Sequence, residues 1–133
     1  MLSVGPTSRA ALESLDWFQL GYRATSYAGL EELETLQSHS GNFEVLIFFG
    51  DWCSDTQLQV PGLIKLLDQV GISPSAVHWI HLDQTKAFLP LTQTYKIEKV
   101  PTFIFMRNGS EIGRIVERPK INILEDSIRI LKG

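Results

Sequence analysis

Cys53 is the only cysteine among 133 residues and stands in WCSDTQ, residues 52–57. It follows a strongly apolar run and precedes a segment of helical character. The thiolate form of such a residue is the nucleophile in exchange with disulfides. A dithiol pair at C-x-x-C spacing would place its second sulfur at position 56, which holds Thr56. In the first turn of a helix, exposed N–H groups and the positive end of the helix dipole stabilise a thiolate. Thr56, one turn on, can offer its hydroxyl to the sulfur. Asp51 and Asp55 flank the thiol and act against it, because nearby negative charge disfavours a second anion. Asp55 also has a structural role as an acidic residue in a first helical turn. Position alone leaves a reactive thiol and a buried, inert cysteine evenly matched.

The elements that must position Cys53 follow from the hydrophobic pattern. EVLIFF, residues 44–49, gives a continuous apolar run, Val45 to Phe49, expected of a central strand covered on both faces and broken by Gly50 and Asp51. From about Cys53 the period becomes helical. Leu63, Leu66, Leu67 and Val70 share one face, Pro61 lies inside the segment as a kink, and Gly71 can end it. VHWIHL (77–82) reads as the next strand, and a short helix follows around Leu89 to Tyr95 with Pro90 in its first turn. PTFIFM (101–106), the Arg107-Asn108-Gly109 turn and EIGRIVE (111–117) form a hairpin. Pro119 is expected to open a last helix with Ile121, Leu124, Ile128 and Leu131 on its apolar side. From EVLIFF onward the order is β-α-β-α-β-β-α, which implies an α/β sandwich with a mixed sheet.

Upstream, Ser26 is expected to cap a helix bearing Leu30, Leu33 and Leu36 and ending near Gly41. Residues 1–25 read as an N-terminal extension packed on the core through Trp17, Phe18, Leu20 and Tyr22. No repeat or linker divides the chain, so a single domain, 1–133, is expected.

Composition narrows the function classes. Hydrophobic residues make up 44% and charged residues 20% of the chain, a globular balance. The net charge is −3 and no basic cluster interleaves with aromatics, so nucleic acid is not an expected partner. No apolar stretch approaches the roughly 18 residues of a membrane span, and no signal-like N-terminus is present; a cytoplasmic, non-membrane protein is expected. One cysteine excludes an internal disulfide and a cysteine-built metal site. His39, His78 and His81 are too scattered for a metal site, and His78 and His81 should point to opposite faces of their strand. Asp83 ends that strand and reads as a helix cap.

Two segments carry a resemblance. VLIFFGDWCSDTQLQVP presents an apolar strand, Trp52-Cys53, two residues, the second-cysteine position and then Pro61; KVPTFIFMRNGSEIG presents Val100-Pro101-Thr102 before a hairpin with Asn-Gly at its turn. With these in this order, the chain resembles the thioredoxin superfamily over about residues 26–132. It is most similar to divergent bacterial members whose hairpin ends in a pattern like RIVERP, residues 114–119. The resemblance implies a thioredoxin-like three-layer sandwich with a central mixed β-sheet flanked by helices. It implies a cis Val100–Pro101 bond beside the sulfur, with the backbone of Val100 offered to an extended substrate strand. Trp52 then becomes a flat substrate-contacting surface, or half-buried packing.

Two departures limit what the resemblance carries over. Thr56 cannot resolve a mixed disulfide, because a hydroxyl cannot make an S–S bond. The buried aspartate that thioredoxins place six residues before the first cysteine is here Ile47. The expected function is therefore monothiol exchange through a mixed disulfide on Cys53, with protein or low-molecular-weight thiols and disulfides as partners. Monothiol glutaredoxins use a lysine shortly before the cysteine and a Gly-Gly segment after the hairpin, and neither is present. Glutathione is thus an external thiol at most, no cofactor is expected, and a monomer is the expected state. The competing expectation is a redox-inactive module binding a protein or peptide strand along the Val100–Pro101 edge.

Overall fold

Alternation along the strands divides the interior into two layers. A computed structural model of the protein describes residues 2–85, 88 and 90–133. In EVLIFF, which forms strand β2 (Glu44–Phe49), Val45, Ile47 and Phe49 turn to one side and Phe48 to the other, all fully buried. Before it come β1 (Gly5–Thr7), α1 (Arg9–Glu13), α2 (Asp16–Ala24) and α3 (Leu30–Gln37). After it come α4 (Ser54–Gln69), β3 (Val77–His81), α5 (Leu91–Thr94), the hairpin β4 (Thr102–Arg107) and β5 (Ser110–Val116), and α6 (Ile123–Lys132).

The five-stranded sheet has the order β1-β3-β2-β4-β5. β2 runs parallel to β3, with Ile47 opposite Trp79, and antiparallel to β4, with Ile47 opposite Phe103. This is the expected mixed sheet with helices on its faces. The larger core joins Ile47, Phe49, Phe103, Phe105 and Trp79 to Leu63, Leu66 and Leu67 of α4 and to Ile123, Ile128 and Leu131 around α6. The smaller cluster holds Phe48, Ile80, Leu82, Ile97, Val100 and Ile104 on the opposite side, with Cys53 and Tyr95 packed against it. The hairpin turn forms as its residues require: Asn108 and Gly109 have φ of 53° and 79°, the left-handed pair of a two-residue turn matched to strand twist. Among the described residues no helix is long and apolar enough to cross a membrane.

Several boundaries differ from expectation. β1, three residues long, pairs antiparallel with the outer edge of β3, Gly5 opposite His81; a strand that short carries no detectable period. Ser26 caps nothing. α3 starts at Leu30 after Gly29, with no side-chain cap, and Leu30 is exposed. Leu20 is exposed as well, so the extension is anchored by Phe18, Trp17 and Tyr22. α5 starts after Pro90, which is its N-cap; Leu89 lies outside the described residues. Asp83 closes a turn by accepting from the Thr85 amide at 2.9 Å.

α6 starts four residues beyond Pro119, and Ile121 is exposed. Asn122 caps α6 by accepting from the Glu125 amide at 2.8 Å. The buried Asp126 accepts from the amides of Lys120 and Ile121 at 2.7 and 3.0 Å. Those bonds hold residues 120 and 121 in a loop folded over the helix start, which removes them from the helix.

Candidate active site

Cys53 stands at the junction of β2 and α4 and is the N-cap residue of α4, with extended φ and ψ of −95° and 124°. Its amide donates to the Gly50 carbonyl at 2.9 Å and its carbonyl accepts from the Gln57 amide at 3.1 Å. The turn 50–53 and the first helical bond therefore both fix its backbone. The thiol is half-buried and donates to the Val100 carbonyl at 3.5 Å. The Val100–Pro101 bond is cis. Two segments 47 residues apart thus meet at one sulfur.

Trp52 is 39% exposed, and its indole N–H donates to the Leu82 carbonyl at 3.0 Å. The ring lies on Gly50: a Cβ there would come within 2.6 Å of it, a clash no side chain tolerates. Glycine is therefore required at the turn for the tryptophan to lie flat. Trp52, Cys53 and Val100 line an open cavity of about 220 Å³ together with Lys99 and Glu117. A larger cavity of about 380 Å³ involves Leu46, Phe48, Leu91 and Tyr95; no thiol lines it, and the chemistry points to the smaller one.

Thr56 departs from the expected geometry. It is fully buried, and its hydroxyl oxygen accepts from the Gly50 amide at 3.2 Å. No hydrogen bond joins it to the sulfur among the described residues. As an N-cap, Cys53 has non-helical backbone angles, so the one-turn spacing of an ideal helix does not aim the two side chains at each other. Ile47 is fully buried in the apolar core.

The charges flanking the thiol are all engaged. Asp51 accepts from the Trp17 indole N–H of α2 at 2.7 Å, and its carbonyl accepts from the Gln57 side chain at 2.9 Å. Asp55 pairs with Arg118 at 3.3 Å, and Lys99 pairs with Glu117 at 3.5 Å. Glu117 also donates its amide to the Pro101 carbonyl at 2.7 Å. The site therefore includes Trp17, Lys99, Glu117 and Arg118, which pattern reading did not select; partners 34 or 63 residues apart leave no local signature. His78 is exposed and pairs with Glu44 at 2.6 Å, while His81 is buried, its Nδ1 lying 3.1 Å from the Ser3 carbonyl and its Nε2 without a hydrogen-bond partner among the described residues. Among the described residues no three His, Cys, Asp or Glu side chains gather to hold a metal.

Comparison with known proteins agrees with this geometry. A family model described as thioredoxin matches residues 21–125. The chain is 26% identical over 93 residues to the thiol:disulfide interchange protein TxlA homolog of Synechocystis, covering 69% of this chain and 51% of that protein. It is 26% identical over 108 residues to thioredoxin H2-1 of rice, covering 81% of this chain and 74% of the relative. The chain thus spans about half the length of the Synechocystis relative. A crystal structure of a protein of unknown function from Pseudomonas aeruginosa superposes with a TM-score of 0.70 at 16% identity, over 96% of this chain and 93% of that one, and shares the fold. The family match covers most of the chain, and the protein belongs to the thioredoxin family.

Proposed function

We propose that this thioredoxin-family chain carries out thiol–disulfide exchange with Cys53 as its one thiol. The observation that supports this best is the meeting of the Cys53 sulfur and the Val100 carbonyl, beside cis Pro101, at an open cavity with no second sulfur. The name of the Synechocystis relative, a thiol:disulfide interchange protein, supports the same reaction class. In the first step the Cys53 thiolate attacks one sulfur of a substrate disulfide. A new S–S bond forms to Cys53, and the other sulfur leaves as a thiolate that takes a proton from solvent. Thr56 offers no second sulfur, so an external thiol attacks the mixed disulfide. This thiol is a protein thiol or a low-molecular-weight one such as glutathione. Cys53 is released as a thiolate, and the substrate sulfur stays bonded to the incoming thiol. The cycle is an exchange; net reduction consumes a second external thiol. Trp52 and the Val100–Pro101 edge bind the substrate, and Thr56 maintains the turn beneath the sulfur.

A second reading has its own support. The half-buried Cys53 thiol donates its proton to the Val100 carbonyl, a bond that only the neutral sulfur can make. A redox-inactive module would then bind an extended strand along Val100–Pro101 without chemistry. Alkylation of Cys53 measured against pH, with mass spectrometry of the chain after exposure to the neutral 2-hydroxyethyl disulfide, separates the two. Exchange predicts alkylation at neutral pH faster than that of a cysteine peptide and a Cys53 adduct that dithiothreitol removes. Alkylation no faster than the peptide's, with no adduct, would leave the binding module as the function.

A further inference from the structure

Two side chains of opposite charge stand at the mouth of the Cys53 cavity. Lys99 and Glu117 both line it, with their charged ends 3.5 Å apart and their side chains 63% and 40% exposed. An ion pair so exposed contributes little net energy, so an incoming charge can displace either partner. The partners differ in how they are held. Glu117 has a φ of 61°, a left-handed conformation uncommon for any residue with a side chain. Its amide is bonded to the Pro101 carbonyl, so its carboxylate springs from backbone tied to the cis-proline loop. Lys99 stands in the same loop, its carbonyl accepting from the Thr102 hydroxyl at 2.6 Å, but it carries its charge on a longer, flexible four-carbon stem that can swing clear. An unfavourable backbone conformation maintained beside a nucleophile points to a use at that place.

The nearby charges do not cancel. Asp55 is matched by Arg118 and Glu117 by Lys99, but Asp51 accepts only from the neutral Trp17 indole. Asp51 and Asp55, within two residues of Cys53 in sequence, and Glu117 at the cavity mouth carry three negative charges, against the two positive charges of Lys99 and Arg118 among the described residues.

We propose that the Cys53 site selects disulfides bearing positive charge next to the reacting sulfur, with Glu117 as the specificity-determining residue and Asp51 setting the sign of its surroundings. This builds on the exchange reading. A basic side chain beside a substrate cystine replaces Lys99 on Glu117 and draws the disulfide over the cavity. An anionic substrate can pair only with Lys99, the mobile partner, and meets Glu117 beside it. The covalent step is unchanged: Cys53 gains one substrate sulfur, the other departs as a thiolate, and the substrate disulfide is the oxidant. Glutathione disulfide, which carries net negative charge, belongs among the slow reactants.

The test compares rates of adduct formation on Cys53 with cystamine, 2-hydroxyethyl disulfide and 3,3′-dithiodipropionate, cationic, neutral and anionic respectively. Each rate is normalised to that of 2-mercaptoethanol with the same disulfide. Taking the ratio of cationic to anionic rates cancels the fraction of Cys53 present as thiolate. The normalised ratio is expected to be about fivefold or more in low salt and to fall toward one in about 1 M salt. Glu117→Gln should lower it by roughly threefold, and Lys99→Gln, at an exposed position that leaves folding intact, should raise it. A normalised ratio near one, or a ratio that neither substitution moves, overturns the selection while leaving exchange standing. Adducts with none of the three disulfides would overturn exchange itself, and the selection with it.

Discussion

Thr56 shows how a side chain at a redox position can serve the backbone. Its hydroxyl oxygen accepts from the Gly50 amide at the buried end of β2. Thr56→Val keeps the size but leaves that amide unpaired in the interior, at a cost of about 1–3 kcal/mol. Thr56→Ser keeps the acceptor and should lose less. Chemical denaturation of the two variants checks this, with the valine variant expected to be the less stable. The threonine at 56 was legible as the absence of a resolving sulfur. Its bond to Gly50 was not, because that depends on the N-cap backbone at Cys53 and the side-chain rotamer, neither of which a spacing rule encodes. Ile47 was legible in full: an apolar residue on the α4-facing side of a central strand simply packs.

At the scale of elements, α4 is held from outside by α1 and α2. Arg9 donates two bonds to Asp68 of α4 at 2.7 and 2.5 Å, and the Tyr22 hydroxyl donates to the same carboxylate at 2.6 Å. Gly21 allows the close crossing, since a Cβ there would fall 2.7 Å from the Pro61 ring. Burial pushes the Asp68 carboxyl up, but the bonds from Arg9 and Tyr22 and the charges of Arg9 and Lys65 outweigh it and hold the group below the usual carboxylate value. A carboxyl depressed in the folded state stabilises the fold above its unfolded value and loses that contribution as pH falls through the folded value. Asp68→Asn is therefore expected to cost roughly 1–2 kcal/mol at neutral pH. The gap to the natural chain should narrow below about pH 4, as thermal melts from pH 7 to 3 would show. α4 and its apolar face were readable from the 3.6-residue period, and Leu63, Leu66, Leu67 and Val70 are all buried. The strap was not, because charged residues on amphipathic helices look alike whether they meet solvent or one another.

For the molecule as a whole, the N-terminal segment completes the sheet. β1 covers the outer edge of β3, and Ser3 presents its carbonyl to the buried His81. Removing residues 1–7 would strip that edge and leave its backbone groups open to pairing with another chain. The shortened chain is expected to melt at lower temperature and to self-associate, which thermal melts and size-exclusion chromatography can follow. The same segment reaches the candidate site through α2, where Trp17 holds Asp51.

Taken by itself, the sequence determined the features with a local period or a local steric rule. The central strand and α4 come from hydrophobic spacing, the hairpin from Asn108-Gly109, and the single-thiol character from Cys53 with Thr56 and Ile47. Tertiary structure alone decided which further groups meet: Lys99 with Glu117 at the cavity mouth, Arg118 on Asp55, Trp17 on Asp51 and β1 on β3. The physical reason is that burial imposes a repeat on neighbouring residues. A polar pairing formed across many residues of chain imposes none, and it exists only once packing has brought its two ends together.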